Sequence, residues 1–189
     1  MADPEEPTPL TCTEADSAQA SNLCTRCGLC CLGVIHNAAV LDDDEIAPAT
    51  AVGLPVLDRP GRPGFALPCP KLAGTTCTIF GHRPRVCGRY MCQVLTDYRE
   101  DRLSFDEAAG HVSCAKDLLA KVRAVLPDDM SLRDAKATVP RPGESESSEP
   151  APQGGALLEL RLRITALQFY LDKHFRKPKE GTVLEMRPL

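Results

Sequence analysis

The sequence predicts a small, loop-rich α+β fold with several helices, and three observations predict it. Seventeen prolines and thirteen glycines in 189 residues, with no tryptophan and only 4% aromatic residues, leave room for a modest core and many turns. Eight of the ten cysteines fall in two windows, 17–41 and 59–96, that contain no Asp or Glu. Several later stretches place apolar residues at helical spacing behind recognisable N-terminal caps. A chain of this length can bury a core without crosslinks.

Taken in order, residues 1–20 read as a disordered acidic tail bearing Pro, Ser and Thr, with Cys12 inside it and outside the core. Residues 21–138 read as the folded domain. Within it LGVIHNAAVL offers a short β-prone run, and DDDEIAPATAVGL a helix whose acids, Asp42 to Glu45, sit in its first turn. The Pro/Gly-rich stretch LPVLDRPGRPGFALPCPKLAG predicts loops and short strands. Arg83-Pro84 predicts a helix start, which places Cys87 in the first turn of a helix running on through YMCQVLTDY. Ser104 and Glu107 form a capping box ahead of Phe105, Ala108, Val112, Ala115, Leu119, Val122 and Leu126 at helical spacing. Ser131 with Asp134 predicts one more short helix. Residues 139–155 read as a flexible linker. Residues 156–178 read as an amphipathic helix with Leu157, Leu160, Ile164, Leu167, Leu171 and Phe175 on one stripe, widened by Leu158, Leu162 and Phe169. Residues 179–189 form a tail. Such a helix docks on its own domain, pairs with a second copy or recruits a partner.

A net charge of −4 gives no general reason to expect nucleic acid or an anionic membrane surface as partner. The N-terminal MADPEEPTPL lacks a basic and an apolar region, so no secretory signal is expected, and no apolar run reaches membrane-span length. The expected location is therefore cytoplasmic, where long-lived disulfides are rare. The acid-free windows hold seven cations: Arg26, Arg59, Arg62, Lys71, Arg83, Arg85 and Arg89. Nearby cations lower thiol pKa and offset the negative charge of a thiolate–metal centre.

The cysteines follow Cys24-x2-Cys27-x2-Cys30-Cys31, then Cys69-x7-Cys77-x9-Cys87-x4-Cys92. Disulfides suit neither the compartment nor the length, and a thioredoxin-like pair at Cys24 and Cys27 lacks its βαβ surroundings. Metal ligation fits better. Gly28 directly after Cys27 lets the backbone turn so that amides point at sulfur, and Gly88 after Cys87 offers the same. A ferredoxin would carry Cys where Val34 stands. Adjacent Cys30 and Cys31 diverge by about 100° in a helix or face opposite ways in a strand, so they serve two directions. Cys87 and Cys92 lie about 140° apart on a continuous helix. Eight thiols suit two tetrahedral centres, or one iron–sulfur cluster with thiols to spare. His36 and His82 are further candidate ligands. Cys114 with His111 on one helical face is an auxiliary pair, although a small buried Cys and a surface His explain it more simply. His174 is most simply a cation at a helix end. Arg83 and Arg89 either serve thiolates or are solvated, and Tyr90 reads as a half-buried core residue.

CTRCGLCC, the Cys69-Pro70-x-Leu72 element, Cys77-x-Ile79-Phe80, Arg83-Pro84-x-x-Cys87 and Arg89-Tyr90 before Cys92 together resemble the CxxCxxCC cysteine-cluster family of YkgJ-type, zinc- or iron-chelating proteins. The resemblance spans roughly residues 22–95. Gly88 departs from it, since relatives often carry Arg directly after that Cys. What the resemblance implies is a metal-organised core with zinc or iron, the latter alone or as an iron–sulfur cluster, held by Cys24, Cys27, Cys30, Cys31, Cys69, Cys77, Cys87 and Cys92. It implies no particular reaction. Two alternatives stay open beside a metal-binding protein. One is an iron–sulfur redox or metal-dependent protein-modifying enzyme, whose general base would be His36, His82 or Tyr90. The other is a zinc-stabilised adaptor that recruits a partner through its C-terminal helix.

Overall fold

A computed structural model describes residues 14–57, 62–139 and 155–177. Its described elements are seven helices and two short two-stranded sheets, a mixed, loop-rich α+β arrangement. The tail residues 1–13 and the segments 140–154 and 178–189 lie outside the described residues.

The first helix, α1 (Glu14–Cys27), takes in the last part of the segment expected to be tail and the first half of CTRCGLCC. Ala20, Leu23 and Cys27 are buried while Asn22, Cys24 and Arg26 face outward, the spacing of one helical face. It stops at Gly28, whose φ of +65° is the left-handed conformation that ends many helices, with its amide donating to the Cys24 carbonyl at 3.0 Å.

Strand β1 (Ala38–Val40) pairs antiparallel with β2 (Gly64–Ala66), Ala39 opposite Phe65. A Cβ on Gly64 would stand 2.3 Å from the Ala39 carbonyl oxygen, so only glycine permits this approach. Between the two strands, a 3-10 turn at Asp43–Glu45 leads into α2 (Ile46–Ala51), with the acids of Asp42 to Glu45 at the start as expected. A small hydrophobic cluster forms here from Ala39, Leu41, Ala49, Leu54 and Phe65. Strands β3 (Leu72–Ala73) and β4 (Thr76–Cys77) make a tight hairpin that sets Leu72 opposite Cys77.

The helix expected to run from Arg83 through Tyr98 is broken. α3 (Arg85–Arg89) ends at Tyr90, which takes an extended conformation, and α4 (Gln93–Arg99) starts anew with Cys92 at its N-cap. α5 (Phe105–Arg123) begins at the expected capping box, Ser104 and Glu107 bonding reciprocally. Of its seven expected apolar positions, Ala108, Val112, Ala115, Leu119 and Val122 are buried; Phe105 is half-buried, and Leu126, beyond the helix end, is half-buried too. α6 (Leu132–Ala137) is capped by Ser131, which accepts from the Asp134 amide.

α7 (Gly155–His174) lies along α5 and also meets α6. Leu160, Ile164, Leu167, Leu171 and Phe175 are fully buried, and Leu157 is half-buried. The expected widening of this stripe does not occur. Leu158, Leu162 and Phe169 are 61%, 63% and 70% exposed, because the face that carries them turns away from α5. The helix is thus part of the main hydrophobic cluster, together with α1, α4, α5 and α6. No described helix is long and apolar enough to cross a membrane.

Candidate metal centre

The four cysteines of CTRCGLCC are presented by a helix end followed by tight turns. Cys24 and Cys27 occupy the last turn of α1. Beyond Gly28 the chain reverses: Leu32 donates to Gly28, Gly33 to Cys30, and Val34 to Leu29. These turns carry Cys30 and Cys31, whose strongest charge neighbours differ: Cys92 for Cys30 and Cys69 for Cys31. Cys30 packs with the main cluster, as do Cys27 and Cys92, whereas Cys69 packs with the smaller one.

The surroundings of each thiol follow the same division. Cys27 has Cys92 and Cys24 as charge neighbours, and Cys30 has Cys92, Cys27, Cys31 and Cys24. Cys31 has Cys69 and Cys77 as charge neighbours, and more weakly Cys24. Cys87 has Cys31, Cys69 and Cys77, and Cys92 has Cys24. The Cys69 amide donates to the Cys31 carbonyl at 2.8 Å, and the Leu72 amide to the Cys69 carbonyl at 3.2 Å, which joins the β3–β4 hairpin to the adjacent-cysteine turn. The nine described cysteines are all free.

Burial pushes several of the thiols toward the neutral form, and for Cys30, Cys31 and Cys87 repulsion from neighbouring thiols adds to it. Burial raises Cys27 to about 12, Cys87 to about 12, Cys31 to about 11 and Cys92 to about 11. Cys30 is pushed well above the ordinary thiol range, first by burial and then by Cys92. Against this act several features that favour thiolate. The Leu29 amide bonds toward the Cys27 sulfur, as the turn at Gly28 leads one to expect, and the Lys71 amide toward Cys69. The amides of Val94 and Leu95, at the start of α4, lie toward Cys92. Arg83 lowers Cys24, Cys31 and Cys87. Among the described residues no three His, Cys, Asp or Glu side chains stand close enough as they are to hold a metal ion. The donor set nevertheless fits zinc or iron: neighbouring free thiols in chain segments without Asp or Glu, with amides directed at sulfur and a guanidinium beside them.

The other candidates fare differently. Gly88 lies within α3 without a left-handed turn, and the Arg83 side chain runs over it at 3.4 Å from where a Cβ would stand. Arg83 also lies 3.9 Å from the centre of the Phe80 ring. Arg89 acts on Asp44. His82 is exposed beside a groove lined by Asp44, Glu45, Arg83 and Arg85. His36 meets Tyr90 edge to face at 4.7 Å, and burial lowers its pKa to about 4. Its Nε2 is buried without a hydrogen-bond partner. Tyr90 is half-buried as expected, and its phenol is raised by burial and then by Cys30 and Cys92. Cys114 is exposed rather than buried, and His111 is half-buried with its Nδ1 2.8 Å from the Tyr170 hydroxyl. His174 stacks on His111 at 4.4 Å, and burial, then His111, lowers its pKa, which disfavours the expected cation.

Sequence reasoning missed the groups that hold the cysteine turns in place. Lys116 donates to the Arg26 carbonyl at 3.1 Å, Lys136 to Gly33 at 2.6 Å, and Arg176 to Ile35 at 3.1 Å. Arg85 bonds Asp42 and Asp44, while its amide donates to Glu45 at 2.5 Å, tying α3 to the start of α2. These partners are 40 to 141 residues apart in the chain, so no local pattern announces them.

Residues 23–109 match the family model of the CxxCxxCC domain, described as a "Putative zinc- or iron-chelating domain". The resemblance read from the cysteine spacing is thereby shown over that segment, which includes all eight cysteines of the pattern and reaches into α5. No curated protein and no solved structure matches the chain.

Proposed function

We propose that the chain is a metal-binding protein in which Cys24, Cys27, Cys30, Cys31, Cys69, Cys77, Cys87 and Cys92 coordinate zinc or iron, and that the metal holds together the loop-rich half of the fold. The observation that carries this reading is the gathering of thiols from α1, its following turn, the β3–β4 hairpin, α3 and the start of α4 into mutual electrostatic contact. Without a cation, such a gathering is unfavourable for thiolates and gains little from neutral thiols. When bound, zinc or iron supplies the positive charge that lets the thiols lose their protons. The chain's own part is to aim the Leu29, Lys71, Val94 and Leu95 amides at sulfur and to hold Arg83 alongside. Thiol ligands of this kind persist in a reducing compartment, and we place the protein in the cytoplasm on that ground.

The test is metal and acid-labile sulfide content, with a visible spectrum, on protein purified without oxygen from cells given both iron and zinc. Stoichiometric zinc in colourless protein supports a structural role. Iron with sulfide makes the site an iron–sulfur cluster and turns attention to electron transfer. Protein that takes up neither metal overturns the reading.

A further inference from the structure

We infer that the eight thiols divide into two four-cysteine centres, an inner one of Cys24, Cys27, Cys30 and Cys92 and an outer one of Cys31, Cys69, Cys77 and Cys87, each suited to one tetrahedral zinc ion. This inference rests on the metal-binding reading above and assigns its ligands.

The backbone makes the division. Cys24 and Cys27 are one turn apart on α1, and α1 packs against α4, whose N-cap is Cys92. Cys30 follows after the turn at Gly28, lies against the same main cluster as Cys27 and Cys92, and has both as charge neighbours. Cys31, one residue on, is bonded through its carbonyl to the Cys69 amide. The hairpin sets Cys77 opposite Leu72, whose amide bonds the Cys69 carbonyl, and Cys77 is a charge neighbour of both Cys69 and Cys31. α3, packed on β1, adds Cys87, which has Cys31, Cys69 and Cys77 as its charge neighbours. The break at Tyr90 between α3 and α4 lets Cys87 and Cys92 belong to different centres. The two sets adjoin at the neighbouring pair, since Cys30 has Cys31 among its charge neighbours, and at Cys24, which Cys31 also feels; the position of Cys24 one turn from Cys27 on α1 places it in the inner one.

Loading each centre converts four thiols to thiolates, releases their protons to solvent and leaves the zinc–tetrathiolate unit with two negative charges. Arg83 is the cation shared by both, a charge neighbour of Cys24 on one side and of Cys31 and Cys87 on the other. The two centres differ in their support. Three inner thiols, Cys27, Cys30 and Cys92, pack with the helical core, while of the outer four Cys69 packs against the five-residue cluster around Phe65. The outer centre therefore gives up its metal first.

The test uses the full chain loaded with zinc alone. Wild-type protein is expected to bind two zinc ions, Cys69→Ser and Cys27→Ser one each, and the double variant none. Because Cys27 is buried and its variant can fail to fold, a second measurement uses the wild type. A chelator is added stepwise, exposed thiols are alkylated, and the modified cysteines are mapped by mass spectrometry. Cys31, Cys69, Cys77 and Cys87 are expected to become reactive together, before the other four. Loss of all metal from Cys69→Ser in folded protein, or alkylation in a first group that mixes the two sets, overturns the division while leaving metal binding intact. Wild-type protein that binds no zinc or iron overturns the metal-binding reading itself, and this one with it.

Discussion

The amide of Cys69 donates to the carbonyl of Cys31 at 2.8 Å, and this single bond fastens the β3–β4 hairpin to the turn that carries the adjacent cysteines. A backbone hydrogen bond in so small a substructure owes its persistence to whatever holds the surrounding thiols. We predict that the Cys69 amide exchanges with solvent about tenfold or more slowly in metal-loaded protein than after chelation, measured by hydrogen exchange on the same sample. Equal exchange in both states would separate the hairpin's order from the metal.

The two faces of α7 should respond oppositely to substitution. Leu167 is fully buried against the core, so Leu167→Ala is expected to cost about 2–5 kcal/mol. Leu162→Ser, on the face that is 63% exposed, should stay within about 0.5 kcal/mol of the wild type. Urea unfolding monitored by circular dichroism ranks the two. A larger loss for Leu162→Ser would mean that the outer stripe is covered in solution.

What could be read from the sequence follows from how local its cause is. The caps at Ser104 and Ser131, the acids ahead of α2 and the buried stripe of α7 depend on residues within a few turns, and each stands where the spacing placed it. The break at Tyr90 was not, because Pro84 advertises a helix start while nothing nearby marks its early end; the chain turns there to bring Cys92 over α1. The exposure of Leu158, Leu162 and Phe169 was illegible because a stripe's width is decided by the partner helix. His174 illustrates the electrostatic version. A histidine in a last helical turn reads as a cation, but partial burial, then the neighbouring His111 and Lys173, favour the neutral ring.

Glu45 links two elements through backbone amides rather than through charge alone. Its carboxylate accepts from Arg85 N at 2.5 Å and from Asp42 N at 3.3 Å, and the residue is only 8% exposed. Glu45→Ala should therefore cost about 1–2 kcal/mol, the loss of two charge-assisted bonds to part-buried amides. The exposed Arg85–Asp44 pair, 2.5 Å apart, should matter little and fade in high salt. Chemical denaturation at low and high salt distinguishes them: the Glu45→Ala loss is expected to persist at high salt, and a loss that vanishes there would make the link purely ionic.

His36 makes stability depend on pH in a defined window. Burial, followed by the Arg176 and Lys136 charges, lowers its pKa from 6.5 to about 4. Between those values the unfolded chain binds a proton that the folded chain does not, so unfolding gains as pH falls from about 6.5 toward 4, and below 4 the contribution is gone. The shift of roughly 2.5 units corresponds to about 3 kcal/mol at most. Replacing His36 with Gln removes the titrating group, and the slope of stability against pH in that window should flatten, whatever the absolute stability of the variant. An unchanged slope would assign the acid sensitivity to the thiols and their metal instead, since protons compete with zinc or iron for the same sulfurs.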